Sequence, residues 1–145
     1  MLLVHARCKN SSLSILWKPH TEFATMAYKL HSPAGNFRAF KALIAAEYNE
    51  ISVDIPDFDA NAISTLSPTG KAPILETPSG IIFESNAIAR YLARLRRDTG
   101  LTGNGSVLEE AAVDSWCDFS ANELELPACV WWYPVAGYMP FQETA

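Results

Sequence analysis

The sequence of 145 residues has few cysteines and no long apolar run. No stretch approaches the ~20 apolar residues of a membrane-spanning helix, so no integral membrane segment is predicted. The cysteines are too few and too scattered for a disulfide framework or a zinc site, and this favours a reducing, intracellular compartment. They are Cys8, Cys117 and Cys129. The net charge of −5 argues against a general nucleic-acid-binding surface.

Charge is unevenly distributed and divides the chain into three segments. Residues 1–25 contain three basic residues and one acid. Residues 26–97 contain eight basic and seven acidic residues, whereas residues 98–145 contain eight acids and neither lysine nor arginine. Such shifts in composition indicate boundaries between structural segments.

The first segment, residues 1–26, is interpreted as a disordered extension, or as an upstream read-through ahead of a start at Met26. A secretory signal is a poor match, because the basic residues follow a short apolar stretch instead of preceding it. A mitochondrial presequence is the alternative, supported only by three basic residues and by the scarcity of acids.

The second segment, residues 27–98, predicts alternating strands and helices. The predicted strands are 28–31, 51–53, 73–76 and 81–83, and the predicted helices are 37–48, 61–66 and 85–97. The resulting β-α-β-α-β-β-α order is that of a thioredoxin-like α/β domain, in which a right-handed crossover is followed by an antiparallel hairpin. Large side chains at helical spacing are interpreted as core. They are Phe37, Phe40, Ile44, Tyr48, Tyr91 and Trp116.

The third segment predicts a linker over residues 99–105 and the start of a truncated all-helical domain over 106–145. Ser106 and Glu109 have the spacing of a capping box, in which each side chain caps the backbone amide of the other residue. The helix that follows is expected to be interrupted at Pro127. The aromatic stretch near the end of the segment needs further helices to bury it. The arginines of the last predicted helix of the second segment are expected to face this acidic segment.

Several stretches resemble known families. Residues 72–76 (APILE) and 83–92 (FESNAIARYL) resemble the glutathione-site signature of cytosolic glutathione transferases. Three further stretches are similar to the gamma subunits of eukaryotic translation elongation factor 1. They are residues 40–48, residues 70–91, and the WYP and GYMP motifs at 132–134 and 137–140. The resemblance covers about residues 27–141.

This resemblance implies a cytoplasmic scaffold subunit of the elongation factor 1 complex that binds the beta subunit of the exchange factor. A homodimer is compatible with it, and no direct nucleic-acid partner is expected. An enzyme that transfers glutathione or a related thiol is the alternative function.

The resemblance also implies a glutathione cleft. Ala72 and Pro73 would present backbone to the ligand across a cis bond, the alternative being a trans proline that starts an edge strand. Glu84 would pair with the ligand's ammonium and Ser85 with its γ-glutamyl carboxylate at a helix N-terminus, or both would be ordinary capping residues. Lys71 would pair with the glycyl carboxylate, or is a solvated loop lysine.

A transferase further needs a group that stabilises the glutathione thiolate. The position used by serine-type members falls on Ala34, which has no hydroxyl. Ser32 is the catalytic candidate if the loop folds back, and Asn36 is an alternative donor. No metal or resident cofactor is predicted, and glutathione is the expected ligand or substrate. A disulfide oxidoreductase is disfavoured because the sequence has no Cys-x-x-Cys motif.

Overall fold

A computed structural model describes residues 28–141, and a four-stranded sheet forms the centre of its first half. The strands are β1 (Tyr28–His31), β2 (Val53–Asp54), β3 (Ile74–Thr77) and β4 (Gly80–Phe83), in the order β2-β1-β3-β4. β1 and β2 are parallel, whereas β1 with β3 and β3 with β4 are antiparallel. The predicted thioredoxin-like α/β fold is confirmed. The extension predicted at the N-terminus lies outside the described residues.

Three helices belong to this domain: α1 (Phe37–Tyr48), α2 (Ala60–Leu66) and α3 (Ser85–Arg94). Asn36 caps α1, because its Oδ1 accepts a hydrogen bond from the backbone N–H of Arg38 at 3.1 Å. α3 ends three residues earlier than predicted, and a single 3-10 turn follows it. Gly100 then stops the helical path in the left-handed conformation that glycine adopts without steric cost.

Alanines form the buried face of α1, contrary to the prediction that its large side chains do. The four buried residues are Ala39, Ala42, Ala45 and Ala46. The large residues of the opposite face are between 50% and 65% exposed, and they are Phe37, Phe40, Ile44 and Tyr48. We call these four residues the aromatic face of α1. The small side chains allow close approach of α1 to its packing partner, α3.

The two other aromatic residues predicted as core have different outcomes. Tyr91 packs against the core, with its ring edge-on to Tyr28 at a centroid distance of 6.3 Å. Trp116 is 72% exposed, so the prediction for this residue is wrong. Its ring lies edge-on to that of Phe119, at a centroid distance of 5.6 Å. Helical spacing identifies a shared face, but it does not show which element covers that face.

The fully buried side chain of Asn49 ties the end of α1 to the end of α3. Its Nδ2 donates to the carbonyl oxygens of Leu92 at 2.7 Å and Ala93 at 3.1 Å. Its Oδ1 accepts from the Thr99 hydroxyl at 2.5 Å. The two carbonyls lie in the last turn of α3, where helical amide partners become scarce, and Leu92 O also accepts from the N–H of Leu95 at 3.3 Å. The Asn49 amide therefore adds hydrogen bonds at the end of the helix.

The second half is one helical rod that comprises α4 (Val107–Phe119), a π-helical segment (Ser120–Glu125) and α5 (Leu126–Val135). The predicted break at Pro127 is wrong, since this proline lies in the first turn of α5. The π-helical segment before this proline shifts the hydrogen-bond register, so the rod continues through Pro127. In the described part of the chain, no helix combines the length and the apolar character needed to cross a bilayer.

The start of α4 confirms one half of the predicted capping box. Ser106 Oγ accepts from the backbone N–H of Glu109 at 3.3 Å. The prediction of the reciprocal bond, from the backbone N–H of Ser106 to the side chain of Glu109, is wrong. Glu109 Oε2 instead accepts from the backbone N–H of Asn104 at 2.7 Å. Gly103 permits this arrangement, since a Cβ atom at that position would lie 2.6 Å from the Cβ of Glu109.

We predict that Asn49→Ala lowers the free energy of unfolding by roughly 2–3 kcal/mol, because two carbonyls and a hydroxyl lose a buried partner. Urea denaturation followed by circular dichroism measures this change. Asn122→Ala is the matched control, since Asn122 is exposed and its substitution should cost less than about 0.5 kcal/mol. Equal effects of the two substitutions would contradict the prediction.

Candidate functional site

Five of the six residues predicted for the glutathione site line one open cavity of about 860 Å³. They are Lys71, Ala72, Pro73, Glu84 and Ser85. The Ala72–Pro73 peptide bond is cis, as expected. The strand after it is not an edge strand, because β3 lies between β1 and β4. At the start of β3, the last residue pair between β3 and β4 is Ile74 with Phe83. The backbone that a ligand could pair with therefore lies before Ile74.

Glu84 and Ser85 stand at the start of α3, which begins at Ser85 as predicted. Glu84 is the N-cap of α3, and Ser85 is the first residue of the helix and only 7% exposed. Glu84 makes no side-chain capping bond and has φ 70°, an uncommon value for a residue other than glycine. Backbone strain of this kind concentrates at functional sites. An uncapped helix N-terminus leaves amide groups that an anion can accept from.

Ser32 does not line this cavity. Its side chain is 6% exposed, and its Oγ accepts from Asn36 Nδ2 at 2.9 Å. Ser32 lines a separate cavity of about 330 Å³, which also contacts α1 and the loop after β2. The loop 33–36 lines both cavities. The structure therefore separates the predicted catalytic serine from the predicted binding residues.

A polar cluster that the sequence did not predict joins α1 to the helical rod. Arg38 donates from Nε to Glu125 Oε1 at 2.5 Å and from Nη1 to the Tyr133 hydroxyl at 3.0 Å. Lys41 Nζ donates to Glu125 Oε2 at 3.3 Å and to Asn86 Oδ1 at 2.7 Å. All five residues line the larger cavity. The cluster therefore holds the rod against the first domain and forms one wall of the cavity.

The charges of this cluster stabilise one another. Partial burial acts to raise the pKa of Glu125, but the hydrogen bond from Arg38 and the charge of Lys41 outweigh it and hold that pKa below its ordinary value. Burial acts to lower the pKa of Arg38, while its bonds to Tyr133 and Glu125 raise it. Both charged forms are thus favoured in the folded protein.

A second set of ion pairs joins α3 and the turn after it to α4, and three of the four arginines expected to face the acidic segment do so. The fourth, Arg96, pairs instead with Glu50 and Asp98. Arg90 lies 2.7 Å from both Asp114 and Asp118, and Arg94 lies 3.3 Å from Asp114. Arg97, in the turn after α3, lies 3.1 Å from Glu110. Exposed pairs of this kind contribute little stability individually. Their complementary positions orient the rod along the domain.

Comparison with known proteins connects this geometry to two groups. Residues 26–94 match the family model described as glutathione S-transferase, N-terminal domain. The chain is 45% identical to probable elongation factor 1-gamma 1 of Arabidopsis thaliana over 127 residues, covering 83% of this chain and 30% of that protein. It is 38% identical to elongation factor 1-gamma of Artemia salina over 128 residues, covering 83% and 29% respectively. The chain thus spans about 30% of the curated relatives it matches.

Solved structures agree with the fold. A theta class glutathione S-transferase from Xanthomonas axonopodis pv. citri, solved with glutathione bound, superposes with a TM-score of 0.58 at 27% identity, covering 67% of this chain and 49% of that one. Poplar glutathione transferase F1 superposes with a TM-score of 0.66 at 18% identity, covering 82% and 58%. At 18% identity, the likeness to the poplar protein concerns the fold alone.

We predict that Glu125→Gln destabilises the protein by about 1–3 kcal/mol near neutral pH, because Arg38 and Lys41 lose their shared carboxylate. The folded pKa of Glu125 is depressed, so its contribution is complete above the unfolded pKa and is lost as pH falls through the folded one. The difference between wild type and variant should shrink from about pH 6 to about pH 3.

Denaturation at several pH values checks this prediction. Glu123→Gln is the matched control, since Glu123 is an exposed acid of the same π-helical segment. A difference between wild type and Glu125→Gln that is independent of pH, or that Glu123→Gln reproduces, would contradict the assignment.

Proposed function

We propose that this chain is part of a translation elongation scaffold. The proposal starts from the premise that residues 26–94 belong to the glutathione S-transferase N-terminal domain family. In this role the chain binds the beta subunit of the exchange factor within a cytoplasmic elongation factor 1 complex. The observation that carries the proposal is that similarity to the elongation factor 1-gamma relative covers 83% of the chain. Residues 26–94 alone cannot account for that coverage, so the similarity is not limited to the transferase domain.

The exposed surface supports a role in protein binding. α1 carries its aromatic face in solvent, and α4 and α5 expose large apolar residues. The most exposed of the latter are Val107, Leu108, Trp116, Val130 and Trp131. Apolar surface on this scale is typical of protein contacts. In this proposal, part of this surface contacts the partner subunit.

We expect the chain to retain the exchange-factor beta subunit when the two are co-expressed and the complex is purified at moderate salt. A theta class glutathione transferase treated in the same way is the control, since it shares the fold and should not retain the subunit. If this chain fails to retain the subunit, the scaffold proposal is wrong.

A second proposal is that the larger cavity binds glutathione and that the protein acts as a glutathione transferase. The specific observation in its favour is that five predicted binding residues share this cavity. In this proposal Ala72 and Pro73 pair with the cysteinyl backbone, while Glu84 and Ser85 hold the γ-glutamyl end. Lys71 pairs with the glycyl carboxylate. The two proposals are compatible, because a scaffold can retain a ligand cleft.

We predict that Ser85→Ala weakens binding of S-methylglutathione about tenfold, because a hydrogen bond to a carboxylate contributes about 1.5–3 kcal/mol. Isothermal titration calorimetry measures the affinity. Ser79→Ala is the control, since Ser79 is exposed in the hairpin turn between β3 and β4. Unchanged affinity in Ser85→Ala would remove Ser85 from the site.

A conjugation assay with an electrophilic aromatic halide tests the enzymatic part. Ser32→Ala decides whether Ser32 takes part in it. Loss of turnover with retained S-methylglutathione binding would assign Ser32 a catalytic role, whereas unchanged turnover would exclude that role. Binding of glutathione without turnover in the wild type would favour the scaffold alone.

A further inference from the structure

We propose that Tyr133, held in place by Arg38, supplies the hydroxyl that stabilises the thiolate of a thiol tripeptide in the larger cavity. This inference rests on the proposed binding of glutathione there. It assigns a role in the thiol chemistry to the helical rod, at a position about 100 residues from the loop where the sequence predicted a hydroxyl.

The hydroxyl groups that line the cavity differ in what holds them. Within residues 28–141 they belong to Thr69, Ser85, Tyr133 and Tyr138. Thr69 Oγ1 lies 3.0 Å from Ser67 Oγ, with which it shares a hydrogen bond. Ser85 is the first residue of α3, the end proposed for the γ-glutamyl carboxylate. Of the four, Tyr133 is the one with a hydrogen bond to a charged group among the described residues.

The direction of that hydrogen bond makes Tyr133 a donor toward the cavity. Arg38 Nη1 donates to the phenolic oxygen at 3.0 Å, so the oxygen acts as the acceptor and its own hydrogen is free for another partner. The bond of Arg38 Nε to Glu125 fixes the guanidinium in place. A cation that donates to a phenolic oxygen polarises the O–H bond and strengthens it as a donor to an anion.

The pair lines the cavity that also contains the position where a hydroxyl is missing. Ala34 lines the same cavity as Tyr133, and Arg38 lies in the first turn of α1, directly after the loop that contains Ala34. In the proposed step the thiol proton leaves to solvent water. The thiolate sulfur then accepts the O–H of Tyr133, and no other bond is formed or broken.

Tyr138 provides a matched control within the same wall of the cavity. Its ring lies edge-on to Tyr133 at a centroid distance of 5.6 Å, and it lines the same cavity. Tyr133→Phe and Tyr138→Phe each remove a single hydroxyl and keep the ring. The described contacts include a hydrogen bond from Arg38 to Tyr133 and none from Arg38 to Tyr138.

The test is a pH titration of glutathione bound to the 145-residue chain and its variants, followed by ultraviolet absorption of the thiolate. S-Methylglutathione, which has no ionisable thiol, reports affinity alone. We expect the pKa of the bound thiol to lie below that of free glutathione. Tyr133→Phe should raise it by about 1 to 2, because a hydrogen bond to the charged sulfur is lost. Tyr138→Phe should leave it unchanged, and both variants should bind S-methylglutathione as the wild type does.

Each other outcome has a distinct meaning. Binding of S-methylglutathione with an unchanged thiol pKa in Tyr133→Phe would overturn the role of Tyr133 and leave the glutathione cleft intact, as would an equal shift in Tyr138→Phe. No binding of S-methylglutathione by the wild type would overturn the cleft and this inference together. If Tyr133→Phe fails to fold, the wild type still decides the matter, since an ordinary pKa of its bound thiol would overturn the proposal.

Discussion

The arrangement of the two halves depends on one charged contact, in which Glu125 of the π-helical segment receives hydrogen bonds from Arg38 and Lys41 of α1. The three side chains are between 21% and 33% exposed, so their attraction is screened less than that of a fully solvated pair. The ion pairs between α3 and α4 have more exposed acidic partners, 38% for Asp114 and 62% for Asp118, and orient the rod from its other end. Together with the hydrogen bond from Arg38 to Tyr133, the contact at Glu125 positions the wall of the cavity that contains Tyr133.

Most of the first domain could be predicted from the sequence because its information is local. Period-two strands, a turn at 78–80 and helical spacing fix the type of each element, and their order then leaves few topologies. The cis bond at Ala72–Pro73 and the cavity position of Glu84 and Ser85 followed from motif resemblance. What failed locally was the choice of buried face in α1, since two faces of that helix are apolar and spacing does not distinguish close packing through alanine from packing through large residues.

The contacts between the halves could not be predicted, because they join residues far apart in the sequence. Arg38 is 87 positions from Glu125 and 95 from Tyr133, and no periodicity relates such positions. The sequence signal for these contacts is Glu125, an acid two residues before Pro127 in an increasingly apolar stretch. Its position indicates that the carboxylate has a specific partner, but it does not identify that partner. The position of Ser32 depended on a loop fold that the Asn36 side chain determines by bonding both Ser32 and the start of α1.

α1 has three faces, and each has a different task. Its alanines pack in the core, Arg38 and Lys41 point their charges at the wall of the cavity, and its aromatic face lies in solvent. A protein that covers the aromatic face would therefore contact the same helix that carries Arg38, and it would meet the larger cavity at Phe37, which lines that cavity. Protein binding and ligand binding on this domain would therefore meet at Phe37, whereas Phe40, Ile44 and Tyr48 of the aromatic face lie outside the larger cavity.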